Sequence, residues 1–180
     1  MANNKKDNNI NLQPQSIEAE EAVLGGMMID EAAANKAIGL LRSSHYFYKE
    51  IHKKIFDAML VLSEKSDPID TVSVSNELKK KKLLKSVGGL YYLTGLVEKV
   101  PTAANIETYA GIVKEKGILR DLISASHYMS KKAFESGEDV ATILDEAEQS
   151  IFSLTQQKDN KLFQHIKPIL TQAIKNLEVI

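Results

Sequence analysis

One stretch decides the fold, residues 105–155: NIETYAGIVKEKGILRDLISASHYMSKKAFESGEDVATILDEAEQSIFSLT. Apolar residues recur in its first half at three- and four-residue spacing, which places them on one face of a long α-helix. Gly137 interrupts that pattern, and a second apolar stripe follows from Val140 to Leu154. The spacing therefore predicts two long helices that fold back on each other about residues 135–138 as a helical hairpin.

The facing stripes of such a hairpin cannot cover every apolar side chain that it carries. Ile118, Leu122, Tyr128 and Phe134 would remain largely exposed unless something else packs on them. The hairpin is therefore predicted to be a surface for other chains.

The composition is typical of a globular, all-helical protein. Hydrophobic residues make up 43% and charged residues 26% of the 180 residues, which argues against general disorder. Glycine and proline are sparse, and helical periodicity runs through nearly the whole chain. The predicted fold class is all-α: a globular multi-helix head, then a long helical hairpin, then a linker helix.

The same composition disfavours several classes of function. The absence of cysteine excludes disulfides, zinc–thiolate sites and thiol catalysis. No apolar run is long enough for a membrane span and the polar start lacks the apolar core of a secretory signal, so the expected compartment is the cytoplasm. Because the net charge is −1, this chain is not expected to carry the main grip on DNA.

The chain divides by composition into five parts. An Asn- and Lys-rich arm covers residues 1–13, and the helical head covers residues 14–104. The hairpin follows over 105–155, residues 156–165 have the composition of a linker, and a stripe over 166–180 predicts the start of a linker helix. That last stripe has no C-cap and cannot bury its own face, so we expect the sequence to be cut from something longer.

Local signals place the helices of the head. Ser16 is expected to cap the first helix, and Asp70 or Thr71 the fourth. Gly25 and Gly26 lie late in the first helix, where each costs roughly 1 kcal/mol relative to alanine, so close approach of another helix is expected there. The other helices are predicted at residues 31–41, 49–65 and 90–99.

No catalytic or metal-binding pattern is present in the sequence. None of the four histidines has a glutamate three residues away, and there is no H-E-x-x-H motif. His52 lies among apolar positions of the third helix, which favours a hydrogen-bonded histidine at the edge of the core over a metal ligand.

Three features from the end of the fourth helix onward leave alternatives open. The lysines at 79–82 fall in a last helical turn, where they complement the helix dipole; this is favoured over a phosphate site. The glycines at 88–89 lack the strand and spacing of a phosphate loop and indicate a turn. Tyr91 and Tyr92 could stack on bases, but without flanking arginines a core or interface role is favoured.

Taken in order, these stretches closely resemble the N-terminal domain of bacterial replicative DNA helicases of the DnaB type. The resemblance rests on residues 14–25 (PQSIEAEEAVLG), 47–48 (FY), 68–70 (PID), 87–89 (VGG), 101–105 (PTAAN) and 144–148 (LDEAE). Residues 163–170 (FQHIKPIL) are similar to the start of the family's linker helix. The Walker A loop of the family's RecA-like motor does not occur in this sequence. The resemblance therefore implies 5'-3' ATP-dependent helicase activity for the parent protein only, with no catalytic site, cofactor or metal in this chain and with ATP and Mg in the absent motor domain.

The resemblance also implies an assembly. Hairpins of two subunits would pair, and six chains would form a collar, a trimer of dimers, around single-stranded DNA. The implied partners are further copies of the chain, from dimer to hexamer, a DnaG-type primase and a helicase loader, with no membrane. The implied pairing residues of the hairpin are Leu119, Leu122, Ile143, Leu144, Ala147 and Ile151.

Two further surfaces follow from the resemblance alone. Positions similar to the family's primase-facing residues are Glu18, Tyr92, Ile123 and Met129, although Ile123 and Met129 could instead belong to the core or the dimer seam. The linker helix would dock on the motor domain of the adjacent subunit through Ile169, Leu170, Ile174 and Leu177. A free-standing helical adaptor or loader-type protein, and an all-helical nucleic-acid-binding domain, stay open as alternatives.

Overall fold

Helices make up all the regular structure of the described chain. The computed structural model describes residues 12–135, 137 and 139–158. The predicted linker helix, with Ile169, Leu170, Ile174 and Leu177, lies outside these residues, as do most of the N-terminal arm and most of the predicted linker. The α-helices are α1 (Ile17–Ile29), α2 (Glu31–Leu41), α3 (Glu50–Glu64), α4 (Thr71–Lys80), α5 (Gly89–Glu98), α6 (Ile106–Phe134) and α7 (Val140–Lys158), with 3-10 helices at Ser44–Tyr46 and Leu84–Val87. The predicted all-α class is confirmed.

The chain divides into two compact units, residues 1–117 and 118–180. The first unit extends beyond the predicted head because the first turns of α6 are buried in it. Ile106, Ala110, Val113 and Gly117 form that buried face of α6. The long helix thus belongs to the first unit over its first three turns and to the second unit from Ile118 onward.

Side-chain caps fix where the helices of the first unit begin. The N–H of Ala19 donates to the Ser16 hydroxyl (3.4 Å), and the N–H of Ser73 donates to Asp70 Oδ1 (2.8 Å), as predicted. Asp30 serves two helices at once: its own N–H donates to the carbonyl of Gly26 (3.2 Å), and its Oδ1 accepts from the N–H of Ala33 (2.7 Å). No residue separates α1 and α2 except Asp30.

α1 lies at the centre of the first unit, with α2, α3 and α5 packed around it. Val23, Leu24 and Met27 are fully buried. The expected close approach at the glycines is confirmed, since a Cβ on Gly25 would collide with the carbonyl oxygen of Leu96 in α5. The backbones of α1 and α5 are therefore in close contact at this crossing, which leaves no room for a side chain at position 25.

The second unit is a helical hairpin in its described part. The Tyr128 hydroxyl on α6 donates to the Glu146 carboxylate on α7 (3.2 Å), and Lys132 Nζ lies 3.7 Å from the same carboxylate. α7 continues through Lys158, whereas the sequence places the start of a linker at residue 156. Glutamine and lysine are good helix formers, so polar composition alone does not end the helix there.

Within the residues that the structure describes, no helix is both long and apolar enough to cross a membrane.

Candidate functional site

Tyr92 is one of the predicted primase-facing residues, and its hydroxyl contacts the core through His52. Gly88 (φ 92°) and Gly89 (φ 71°) occupy the left-handed region that glycine tolerates best, and they turn the chain into α5. Burial of Leu93 and Leu96 then fixes the face that α5 presents to the unit. Tyr92 lies beside that face, half-buried, with its hydroxyl directed inward.

The hydroxyl of Tyr92 ends a chain of hydrogen bonds that runs through the core. The ring nitrogen His52 Nε2 lies 2.7 Å from the Tyr92 hydroxyl, and His52 Nδ1 lies 2.6 Å from Glu20 Oε2. Glu20 is 1% exposed and His52 is 0% exposed. We call Glu20, His52 and Tyr92 the buried triad; it links α1, α3 and α5.

The partners fix the direction of these hydrogen bonds when His52 is neutral. A carboxylate can only accept, so Nδ1 of His52 carries the proton that is donated to Glu20. Nε2 is then an acceptor, and the Tyr92 hydroxyl donates to it. The Tyr92 hydroxyl is thereby linked through His52 to Glu20 of α1.

Glu20 also caps α3 from a different helix. Lys49 precedes α3 and provides no side-chain cap of its own. Glu20 accepts instead from the backbone N–H of Tyr48 (2.5 Å) and of Lys49 (3.3 Å). Its negative charge therefore lies at the positive end of the α3 dipole, which compensates part of the cost of burying it.

The environment of Tyr92 opposes ionisation. Burial raises the pKa of Tyr92 from 10.0 to about 12, and the negative charges of Glu21 and Glu20 act in the same direction. Glu21 is itself held by Lys99 Nζ at 2.7 Å, with Lys49 Nζ at 3.9 Å. Tyr92 thus remains a neutral hydrogen-bond donor through the physiological pH range.

The other three positions implied for primase binding lie in different settings. Glu18 is exposed near the start of α1. Ile123 is exposed and Met129 is half-buried, both in the second unit. None of the three is buried, so the core role considered for Ile123 and Met129 does not apply in this chain.

None of the residues implied for hairpin pairing is fully buried in the described part of the second unit. Leu122, Leu144 and Ile151 are exposed, while Leu119, Ile143 and Ala147 are half-buried. Phe152 and Phe134, which the implied pairing set omits, are 60% and 85% exposed. The largest exposed rings of the hairpin therefore lie outside the set that the resemblance implied.

Sequence reasoning missed the burial of Glu20. Acidic residues in the first turns of α1 are explained by the helix dipole alone, and that explanation does not predict burial of Glu20. A signal was nevertheless present: Glu20 follows Ile17 by three residues and precedes Val23 and Leu24 by three and four. That spacing places it on the apolar face of α1, where an acid needs partners. His52 is hydrogen-bonded as predicted but lies in the core rather than at its edge.

No cluster of three or more His, Cys, Asp or Glu side chains suited to a metal ion occurs among the described residues.

The family model for the DnaB-like helicase N-terminal domain matches residues 12–115, which contain the whole buried triad. This chain belongs to that family.

Relatives of this DnaB-like domain are replicative helicases. The replicative DNA helicase DnaC of Bacillus subtilis (strain 168) is 44% identical over 170 residues, and DnaB of Geobacillus stearothermophilus is 41% identical over 169. Each match covers 94% of this chain and 37% of the relative, so the chain spans little more than a third of their length.

A solved structure of the family has the same fold. The crystal structure of the N-terminal domain of DnaB helicase from Mycobacterium tuberculosis aligns with a TM-score of 0.75 at 38% identity. The alignment covers 79% of this chain and 99% of that one.

Proposed function

We propose that this domain assembles a replicative DNA helicase and docks its primase. Hairpins of two chains pair across a two-fold axis, and three such dimers form a hexameric collar. The whole protein is an ATP-dependent 5'-3' helicase that translocates on single-stranded DNA. ATP and Mg bind in a motor domain outside this chain. This chain itself neither binds nor hydrolyses ATP. A DnaG-type primase and a helicase loader are its partners.

The observation that carries the assembly is the exposed apolar surface of the hairpin. Phe134, Leu144 and Phe152 are exposed by 85%, 63% and 60%. Several large apolar side chains exposed on one hairpin are typical of an interaction site. Pairing two identical stripes would bury apolar area on both copies, at about 25 cal/mol per Å² before the costs of association.

The buried triad supports the docking role. An aromatic side chain held in one orientation loses little freedom when a partner binds, and tyrosines at interfaces are frequent binding hot spots. His52 holds Tyr92 in this way through the hydroxyl. The partner-facing part of Tyr92 is then the exposed portion of its ring.

Assembly is tested by the solution mass of this chain, measured by light scattering over a range of concentrations. We expect a concentration-dependent dimer or larger species, and we expect Leu144→Gln to require about tenfold more protein to reach the same mass. Thr142→Gln, at an exposed position of the same helix, is the matched control and should match the wild type. A monomer at every concentration would contradict assembly by the hairpin of this chain.

Primase docking is tested by calorimetry with the primase of the same organism. Tyr92→Ala and Met129→Ala are expected to weaken binding while circular dichroism shows unchanged helicity. Tyr91→Ala, one residue away and directed into solvent, is the control for Tyr92. Unchanged affinity in both test variants would refute the primase-facing assignment.

A further inference from the structure

A dense basic segment begins in the last turn of α4 and continues towards α5. Lysines occupy positions 79, 80, 81, 82 and 85, and no acidic residue occurs from position 78 to position 97. We call residues 79–85 the basic turn. Its charge contrasts with the chain as a whole, whose net charge is −1.

Hydrogen bonds hold the backbone of the basic turn in one conformation. The N–H of Leu83 donates to the carbonyl of Leu78 (2.8 Å), and the N–H of Lys82 donates to the carbonyl of Lys79 (3.0 Å). This pair of bonds is the Schellman motif, with Lys82 (φ 58°) at the left-handed position where glycine is usual. Val87, four residues after Leu83, is buried and anchors the end of the segment.

One carboxylate accounts for part of the positive charge. Glu77 is buried, and its carboxylate lies 3.5 Å from Lys65 Nζ, 3.8 Å from Lys80 Nζ and 3.9 Å from Lys81 Nζ. In the described part of the chain, Lys79, Lys82 and Lys85 have no carboxylate at ion-pair distance. All three are exposed.

The helix dipole does not explain all of these lysines. Lysines in the last turn of α4 complement its dipole, which accounts for Lys79 and Lys80. Lys82 and Lys85 follow the end of α4, and Lys85 lies in the next 3-10 helix. The dipole of α4 therefore does not explain the positive charge at Lys82 and Lys85.

An exposed aromatic ring lies at the same end of the α4–α5 pair. Tyr91 is 90% exposed in the first turn of α5, and Leu90 beside it is also exposed. Tyr91 follows Lys85 by six residues, and the 3-10 helix that carries Lys85 packs against α5. The core role that the sequence allowed for Tyr91 is excluded by this exposure.

We propose that the basic turn and Tyr91 bind single-stranded nucleic acid. Lys79, Lys82 and Lys85 contact consecutive phosphates, and an unpaired base stacks on the ring of Tyr91. Unpaired lysines beside an exposed aromatic ring are the combination by which proteins bind single strands without reading their sequence. An acidic peptide would use the lysines but would have no need for the flat ring. The proposal does not depend on hairpin pairing or primase docking.

The salt dependence of binding gives a numerical expectation. Binding of single strands weakens with salt with a log–log slope of about −0.7 per phosphate neutralised, so three lysines give a slope of about −2. The affinity is expected to be weak, with a Kd on the order of 10 to 100 μM at physiological salt, since few phosphates are contacted.

The test uses this chain, a fluorescent oligothymidylate and anisotropy titrations at several salt concentrations. The variant Lys79→Gln/Lys82→Gly/Lys85→Gln removes the three unpaired charges. Glycine at position 82 also relieves the left-handed conformation, so folding should be retained. The control variant carries Lys53→Gln, Lys116→Gln and Lys131→Gln, which lowers the net charge by the same amount elsewhere.

We expect the basic-turn variant to lose about tenfold in affinity and most of its salt slope, and the control to stay within about twofold of the wild type. Tyr91→Ala should weaken binding about fivefold with an unchanged slope, because stacking releases no counterions. Equal losses in the two triple variants would overturn the proposal in favour of general charge attraction. Tighter binding of a polyglutamate peptide, insensitive to Tyr91→Ala, would overturn it in favour of an acidic protein partner.

Discussion

The two units differ in how far their apolar side chains are buried. Every hydrophobic side chain that the structure describes as buried lies between Ala19 and Val113, in the first unit. In the described part of the second unit no residue is buried, although it carries Leu144, Phe134 and Phe152. The first unit also holds a buried carboxylate, that of Glu20, whose hydrogen-bond partners all lie in the same unit.

This difference separates residues that are expected to act on folding from residues that the proposed assembly would use. A side chain that is buried in the first unit should act on the free energy of unfolding of a single chain. An exposed apolar side chain of the second unit should act only when a second molecule is present. Measurements on the two groups should therefore respond differently to protein concentration.

The largest expected effect is the loss of Glu20. Glu20→Ala removes the acceptor of the buried His52 Nδ1 and of the part-buried N–H groups of Tyr48 and Lys49, and should lower the free energy of unfolding by about 3–5 kcal/mol. Denaturant unfolding measures it. Glu18→Ala, two residues earlier and exposed, should change it by less than about 0.5 kcal/mol. A loss below about 1 kcal/mol for Glu20→Ala would show that water replaces the carboxylate.

A second test concerns Gly117, where the long helix leaves the first unit. A Cβ there would lie 2.5 Å from Cδ1 and 2.9 Å from Cα of Tyr46, so Gly117→Ala should destabilise the chain by about 1–3 kcal/mol. Gly111→Ala, in the same helix, meets nothing within 4 Å and should stabilise it by up to about 1 kcal/mol. Thermal unfolding compares the two variants. Equal shifts of the same sign would mean that helix propensity, not the contact with Tyr46, governs this region.

Hydrogen exchange sharpens the comparison directly. On tenfold dilution, amides of residues 118–158 should exchange roughly three- to tenfold faster, because association contributes to their protection. Amides of α1 and α3 should keep their rates, since their burial is internal. Concentration-independent exchange in both units would remove association as the role of the exposed stripe.

The smallest expected effect is a loss of folding stability at alkaline pH. The folded chain holds the proton of Tyr92 to a pKa of about 12, whereas the unfolded chain releases it near 10.0. The stabilisation is complete below pH 10 and is lost as pH rises from 10 towards 12. Tyr92→Phe lacks this component, so wild type should lose more stability than the variant over that interval. Parallel curves from denaturant unfolding at each pH would contradict the raised pKa.

Local chemistry made the fold predictable from the sequence. The caps at Ser16 and Asp70 involve residues only three positions apart in the chain. The close approach at Gly25 could be predicted because a glycine in a helix lowers stability unless another helix packs against it. The role of Glu20 depends on partners 28 to 32 residues away in sequence, so no local pattern specifies it. The end of α7 was misplaced because polar residues that favour linkers also favour helices. The exposure of Tyr91 beside half-buried Tyr92 required the orientation of α5.

The shared corner at Asp30 restricts how the chain can be altered. Asp30 both ends α1, through its N–H, and starts α2, through its carboxylate. Inserting or deleting a residue there would disrupt at least one of these two caps. Loop grafts, circular permutation and fluorescent-protein insertion should therefore fail at this corner. The exposed stretch at Asp67 and Pro68, which precedes the cap of α4, is the better place to open the chain.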